Sequence, residues 1–355
     1  MVLNYIGSKK SLLYFIEYVL KQNIKLTKNL VFGDLFAGTG VVGNYINTKY
    51  SMKNISNDLE YYSYLINYAN LKCQYTDKLK TIIGELNKMK GEDGLIHRLY
   101  SPSGGNEYGR MFFTCENAKK VDANRIHLEN LKEEKKIDEN EYIFLLASIV
   151  ESIDKVANTA CVYGAYLKKF KKAALKDYVV KPIHTKTLIN NSKDNIIHNK
   201  DANDIDDKFD IVYLDPPYNN RQYGGNYSQL NYIAKYNEEV EIKGKTGLVK
   251  GYNKSKYSQK PNVKEAFSKL INKLNTNHIL ISYNNEGILS LQELQELLSQ
   301  KGKVTSYILK YKKFKSQKKT NKFVEEYLHY VDCSDIGESK IVYVTKEEML
   351  IKAVR

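Results

Sequence analysis

The stretch LVFGDLFAGTGVVGNYI constrains the fold of this chain more than any other. A short apolar run ends at Asp34, a glycine turn follows, and a helix begins. A second unit of the same kind, KNISND and then LEYYSYLINYAN, ends its strand at Asp58 and continues with apolar residues at helical spacing. Strand–turn–helix units in succession predict a parallel sheet covered by helices on both faces, a doubly wound α/β fold. The ligand crevice of such a fold lies at the carboxyl ends of its strands.

The alternation stops from about Lys72 to Lys193, where the chain reads as mostly helical with charged surfaces. Within it, EYIFLLASIVESIDKVANTA is the most apolar helix candidate and is expected to pack against the sheet. Strand signals resume in NIIHNKD, FDIVYLD and HILISYNN, and KVTSYILKY with FVEEYLHYV reads as a terminal antiparallel pair. The expected organisation is a catalytic domain of residues 1–71 and 194–355, interrupted by a mostly helical insertion over residues 72–193. Residues 219–262 form a further loop region on the catalytic domain.

A net charge of +14 points to a polyanionic partner, nucleic acid first and an anionic membrane surface second. The 4 cysteines are widely separated with no CxxC pair, and the 6 histidines form no HxH or HxxxH cluster, so neither a metal site nor a disulfide framework is expected. No apolar leader follows MVLNYIGSKK, and no uncharged run long enough to span a bilayer occurs, which predicts a soluble, reduced, cytoplasmic protein without a membrane segment.

Gly38, Gly40 and Gly43 in GTGVVG have the spacing G-x-G-x-x-G, which lets backbone approach a ligand ahead of a helix N-terminus. A nicotinamide dinucleotide is the rival reading, but there the first glycine follows the strand directly, whereas here an acid and then LFA intervene. Asp34 would repel a pyrophosphate and suits a ligand with cationic groups. S-adenosylmethionine has an ammonium and a sulfonium, with one carboxylate for the N–H groups of the turn. Asp58, ending the next strand, is placed for ribose hydroxyls.

The stretch YLDPPYNN places two of the chain's 5 prolines between an acid and an aromatic. Asp215 ends the strand FDIVYLD and so faces the crevice. An exocyclic amine on a nucleobase is a poor nucleophile because its lone pair is delocalised into the ring. A carboxylate accepting one N–H and a rigid carbonyl accepting the other draw the nitrogen toward tetrahedral geometry. Pro216 supplies such a carbonyl, and neither Pro216 nor Pro217 has an N–H to compete for Asp215. Tyr218 offers a face for the base, worth about 1–3 kcal/mol. A base in a duplex reaches such a site only by flipping out.

The order YIGSKK, DLFAGTG, long insertion, DPPY resembles the D12 class of DNA adenine-N6 methyltransferases, the Dam-like alpha group, over most of the chain. The resemblance implies a Rossmann-like methyltransferase sheet and site-specific methyl transfer from S-adenosylmethionine to adenine N6 in double-stranded DNA. It also implies a place in a restriction-modification system, with a cognate endonuclease acting on the same site without a stable complex. By the same resemblance Tyr5 and Lys9 belong to the cofactor site, Phe36, Gly38 and Gly40 cradle the methionine end, Asp58 binds ribose and Asp201 in HNKDAND the adenine end. Asp215, Pro216, Pro217 and Tyr218 would form the catalytic loop. Members often carry Trp where Tyr5 stands, and this chain has no Trp.

Three basic segments are expected to meet phosphates: YLKKFKKAALK with Lys168, Lys169, Lys171 and Lys172; the loop region with Arg221, Tyr223 and Tyr227; and KKFKSQKKTNK near the C-terminal sheet. Arg221 and Arg110 are candidates for reading guanine. Target selection is expected from the helical insertion. The readings left open are an RNA or cytosine-N4 methyltransferase, a nicotinamide-dependent oxidoreductase, and a noncatalytic DNA-binding protein on the same fold.

Overall fold

The computed structural model describes residues 3–188, 194–312 and 323–353. In chain order a 3₁₀ turn, Lys9–Leu12, leads into α1 (Leu13–Asn23), β1 (Val31–Asp34), α2 (Val41–Tyr50) and β2 (Lys53–Asn57). Helices α3 (Tyr61–Lys72), α4 (Asp77–Lys88), α5 (Leu95–Tyr100), α6 (Cys115–Glu133) and α7 (Glu139–Asp154) follow. The sheet resumes with β3 (Ile196–His198) and β4 (Ile211–Leu214). Next come α8 (Tyr223–Asn226), α9 (Ser228–Lys235) and the short strands β5 (Ile242–Lys243) and β6 (Leu248–Val249). The chain then runs through α10 (Val263–Lys273), β7 (His278–Asn284), α11 (Leu291–Ser299), β8 (Lys303–Lys312), β9 (Phe323–Asp332), β10 (Lys340–Val344) and α12 (Lys346–Ala353).

The chain divides into two compact units, one of them residues 9–59, 193–222 and 255–355. It holds an eight-stranded sheet in the order β10-β8-β9-β7-β4-β1-β2-β3. Neighbours are parallel except where β9 runs antiparallel to both β7 and β8, as the sequence predicted for the terminal pair. All four residues of β4 are buried, as expected of a central parallel strand covered on both faces. Alternation sorts the strands between two cores. Tyr213, Leu280 and Leu328 pack with α1, whereas Leu214, Ile281 and Tyr327 pack with α10 and α11. Helix α10 shows why it lies there: Val263, Ala266, Phe267, Leu270 and Ile271 repeat at helical spacing and are all buried.

The strand order reverses at β1 and β4, which lie side by side with Asp34 opposite Tyr213. That is the position where doubly wound sheets open a crevice. The turn after β1 depends on its glycines. Gly38 and Gly40 have φ of 52° and 72°, which side-chain-bearing residues rarely adopt. A Cβ on Gly43 would come within 2.8 Å of the Asn54 amide nitrogen, so this glycine lets α2 sit close on the strands.

The other unit comprises residues 1–8, 60–192 and 223–254 and is built of α3 to α9 with the β5–β6 hairpin. The sequence assigned α3 and residues 223–254 to the catalytic domain; both pack here. Helix α7 also departs from expectation. It packs on α3, α4, α6 and α9, in a core that, among the described residues, includes none from the eight-stranded sheet. It is apolar nearly all round because helices surround it. The insertion is helical only as far as Asp154, and residues 155–188 form an irregular strap of turns. Polar side chains on the helices satisfy the strap's backbone in place of a ladder. The Asn117 amide bonds the Lys176 carbonyl (2.9 Å) and the Tyr178 N–H (2.8 Å), and Asn87 bonds both backbone groups of Val180 (2.9 and 2.7 Å).

Candidate active site

β4 delivers its chain to Asp215, Pro216, Pro217 and Tyr218 at the switch point. Lys9, at the start of the 3₁₀ turn, reaches the same place: its Nζ lies 2.8 Å from Asp215 Oδ1 and 5.7 Å from the centre of the Tyr218 ring. The two side chains of the pair are only 8% and 18% exposed. Burial alone would lower the Lys9 pKa, but Asp215, then Tyr218 and Glu326, outweigh it and raise the ammonium above its ordinary value. Burial raises the Asp215 carboxyl, and Lys9 opposes that rise. The loop itself is pinned: the Tyr218 carbonyl accepts from Ile288 N–H at 2.7 Å, and its ring meets Tyr283 edge-on at 6.0 Å.

Asp34, one strand away, has no such cation. It is 1% exposed, and its Oδ2 accepts the Gly43 N–H at 3.0 Å while Oδ1 has no partner among the described residues. Burial, reinforced by the charges of Asp215 and Asp58, pushes its pKa up to about 8. The N–H groups expected to hold a carboxylate are engaged inside the turn. Gly38 donates to Asp58 Oδ2 at 2.7 Å and Gly40 to the Ala37 carbonyl at 2.7 Å. Further along the crevice edge, Phe36 packs edge-on against Tyr257 at 4.9 Å. The Tyr257 hydroxyl accepts from the Asn203 amide at 3.1 Å, and that amide also donates to Asp201 Oδ1 at 3.1 Å. Phe36 and Asp201 are therefore joined through Asn203 and Tyr257, two residues the sequence reading missed.

Several expected roles do not survive. Tyr227 is fully buried, with its ring stacked on Tyr5 at 5.1 Å and its hydroxyl accepting from Ile6 N–H at 2.9 Å, so it cannot face DNA. Tyr223 is half-buried on the same stack, 5.4 Å from Tyr5. Tyr5 thus joins the N-terminal segment to α8 and α9 within the helical unit. Lys171 Nζ donates to the Thr159 carbonyl at 2.6 Å and braces the strap, leaving Lys168, Lys169, Lys172 and Lys176 as the exposed cations of that run. Arg110 is buried, donating to the carbonyls of Leu99, Gly244 and Lys245 at 3.0, 3.0 and 3.2 Å, and so anchors the hairpin instead of reading a base. Arg221 is exposed. Nearly all of KKFKSQKKTNK lies outside the described residues.

Among the described residues no group of three His, Cys, Asp or Glu side chains could hold a metal ion, and no helix is long and apolar enough to cross a membrane.

Residues 5–297 match the family described as D12 class N6 adenine-specific DNA methyltransferase. The chain is 41% identical over 339 residues to the Type II methyltransferase M.NlaIII of Neisseria lactamica, covering 93% of this chain and 99% of that one. It is 41% identical over 337 residues to the Type II methyltransferase M.CviAII of Paramecium bursaria Chlorella virus 1, covering 93% and 98%. It is 39% identical over 365 residues to the Type II methyltransferase M.FokI of Planomicrobium okeanokoites, covering 97% of this chain and 55% of that one.

Proposed function

Because the chain belongs to the D12 class of N6 adenine-specific DNA methyltransferases, we propose that it methylates adenine N6 at a specific site in double-stranded DNA from S-adenosylmethionine, with Asp215 as the acceptor carboxylate. The observation that carries this reading is the placement of Asp34 and Asp215 at the tips of adjacent parallel strands, with Lys9 bonded to the second.

The residues at the crevice fit the cofactor. Asp34 Oδ1 is buried and has no partner among the described residues, an atom that a bound ammonium would satisfy. Asp201 and the linked Asn203 and Tyr257 would hold the adenine end, and Asp58 the ribose; Phe36, expected at the methionine end, packs against Tyr257 and on this reading belongs to the adenine end as well. Gly38 and Gly40 keep the turn close. When bound, S-adenosylmethionine supplies an electrophilic methyl on a sulfonium. Lys9, assigned by resemblance to the cofactor, acts on this reading upon Asp215, opposing the protonation that burial favours. Asp215 then accepts one N–H of the adenine amine, the Pro216 carbonyl accepts the other, and Tyr218 stacks on the flipped base. Alignment for in-line displacement supplies most of the rate, and Asp215 takes up the proton that N6 loses.

Target recognition we assign to the helical unit, where Lys168, Lys169 and Lys172 are exposed, together with Arg221 in the loop region of residues 219–262. The relatives named Type II methyltransferases support a protective role in a restriction-modification system. A cognate endonuclease would act on the same site without a stable complex, and a cytoplasmic location follows from the substrate. The test is incubation of the purified protein with labelled S-adenosylmethionine and DNA or RNA, followed by nucleoside analysis. N6-methyladenine in DNA is expected; label only in RNA, or only as N4-methylcytosine, would overturn the assignment.

A further inference from the structure

One titratable group at the crevice has no part in the mechanism so far. Glu326 lies near the start of β9, the antiparallel strand, directly opposite Asn284 at the end of β7. Its side chain can be placed by alternation. Tyr213 of β4, Leu280 of β7, and Leu328 and Tyr330 of β9 share one core with Leu12, Phe15 and Ile16, which follow Lys9. Two residues on in β4, four on in β7 and two back in β9, the same face ends in Asp215, Asn284 and Glu326. Lys9 stands over that row. The half-buried Glu326 carboxylate has no hydrogen-bond partner among the described residues, yet Lys9, Tyr213 and Tyr218 all sense its charge.

We propose that Glu326 is a positioning residue for methyl transfer, a second carboxylate on the same sheet face as the Lys9–Asp215 pair that gives the three groups together a net negative charge beside the reacting amine. This rests on the role of Asp215 proposed above. A lone Lys9–Asp215 pair is neutral, and an ammonium at 2.8 Å competes with the adenine N–H for the same carboxylate. A second carboxylate on the same face attracts the ammonium as well and loosens that claim. Methyl transfer moves a positive charge from sulfur to N6, which is hydrogen-bonded to Asp215. A set with net charge −1 therefore favours the product side of the transfer, whereas a neutral set does not. The titratable groups around Lys9 are Asp215, Tyr218 and Glu326, of which Tyr218 is uncharged at neutral pH. Glu326 in turn feels the charges of Lys9, Asp215 and Glu286.

The experiment compares wild type, Glu326→Gln and Glu326→Asp in single-turnover methylation of a DNA duplex across pH. Glu326→Gln should lower the rate by about 10- to 100-fold at neutral pH while leaving S-adenosylmethionine and DNA dissociation constants within about threefold. Because the Glu326 charge supports the Lys9 ammonium, its loss should move the alkaline limb of the profile to lower pH. Glu326→Asp keeps the charge and should retain the wild-type limb with less than a tenfold loss of rate. An unshifted limb and undiminished rate in Glu326→Gln overturns the inference. Should Gln prevent folding, Asp decides alone: a folded Asp variant with a lowered limb and more than a tenfold loss counts against it, and a retained limb and rate support it. Nucleoside analysis of the wild-type product separates the two readings. If no N6-methyladenine forms, the assignment of function fails; if it forms and the Glu326 variants are silent, only the role of Glu326 fails.

Discussion

The turns after β1 and β4 place two acids on adjacent strands, and the two acids are held in opposite ways. Asp34 is enclosed by a glycine turn that brings one backbone N–H and no cation, and burial pushes its pKa up to about 8. Asp215 heads a proline loop that brings no N–H to it, and Lys9 stands at 2.8 Å to oppose the same effect. The difference lies in where the countercharge comes from. Asp34 waits for a positive charge from a ligand, and Asp215 carries its own within the chain. A site that must accept a cationic cofactor and then a neutral amine uses both arrangements.

The most damaging way to break the comparison is to remove the second acid. Asp215→Ala should lower methyl transfer by at least about 1,000-fold while S-adenosylmethionine binding stays within a few-fold, because alignment and hydrogen bonding of the amine are lost and the first acid is untouched. Filter-bound label from single-turnover reactions and calorimetric binding measure the two quantities. Unchanged turnover would refute the assignment. Removing only the countercharge is the next largest change. Lys9→Met should cost about 100-fold at pH 7, since an unopposed buried carboxyl rises further and is protonated there. The acid limb of the rate profile should then move to higher pH, and part of the activity should return on raising the pH. A loss equal at every pH would mean that Lys9 does something other than hold the charge of Asp215.

Tyr218→Ala tests the loop without touching either acid. Loss of a stacking face worth about 1–3 kcal/mol predicts a roughly 5- to 150-fold weaker capture of the flipped base, read from 2-aminopurine fluorescence in the duplex. Phe or Trp at the position should keep most of it. Equal fluorescence in Tyr218→Ala and wild type would remove the stacking role.

Both turns were legible in the sequence because each follows a short, wholly apolar run and uses residues with restricted or unusual backbone behaviour. Parallel strands buried on both faces leave such runs, and the motifs mark their carboxyl ends. The partners were not legible. Lys9 and Asp215 are brought together by packing of the segment before α1 on the sheet, which no local pattern records. The same limit explains Tyr227, Lys171 and Arg110. An aromatic or cation near a loop reads as exposed, and only tertiary structure shows that Tyr227 is core, that Lys171 braces a strap and that Arg110 holds a hairpin. The helical insertion was legible as helix only as far as the hydrophobic periodicity extended. Beyond Asp154 the backbone is organised by Asn and Ser side chains from distant helices.

The smallest expected effect sharpens the first acid and concerns stability. The folded chain holds a proton on Asp34 up to about pH 8, whereas the unfolded chain loses it near the ordinary value of 3.8. The folded state therefore binds more protons across that interval, and the stability linked to this group declines as pH rises from about 4 toward 8. Asp34→Asn has nothing to titrate, so its melting temperature should fall less between pH 5 and pH 8 than that of wild type. At this chain length about 1 kcal/mol corresponds to roughly 2–4 °C or less, and the difference in slope should be a few degrees. A cationic ligand at the partnerless Oδ1 should oppose the decline. S-adenosylmethionine should then raise the wild-type melting temperature more at pH 8 than at pH 5, and Asp34→Asn should show little such dependence. Parallel curves for the two proteins would mean that Asp34 already has its countercharge within the chain, and the contrast with Asp215 would disappear.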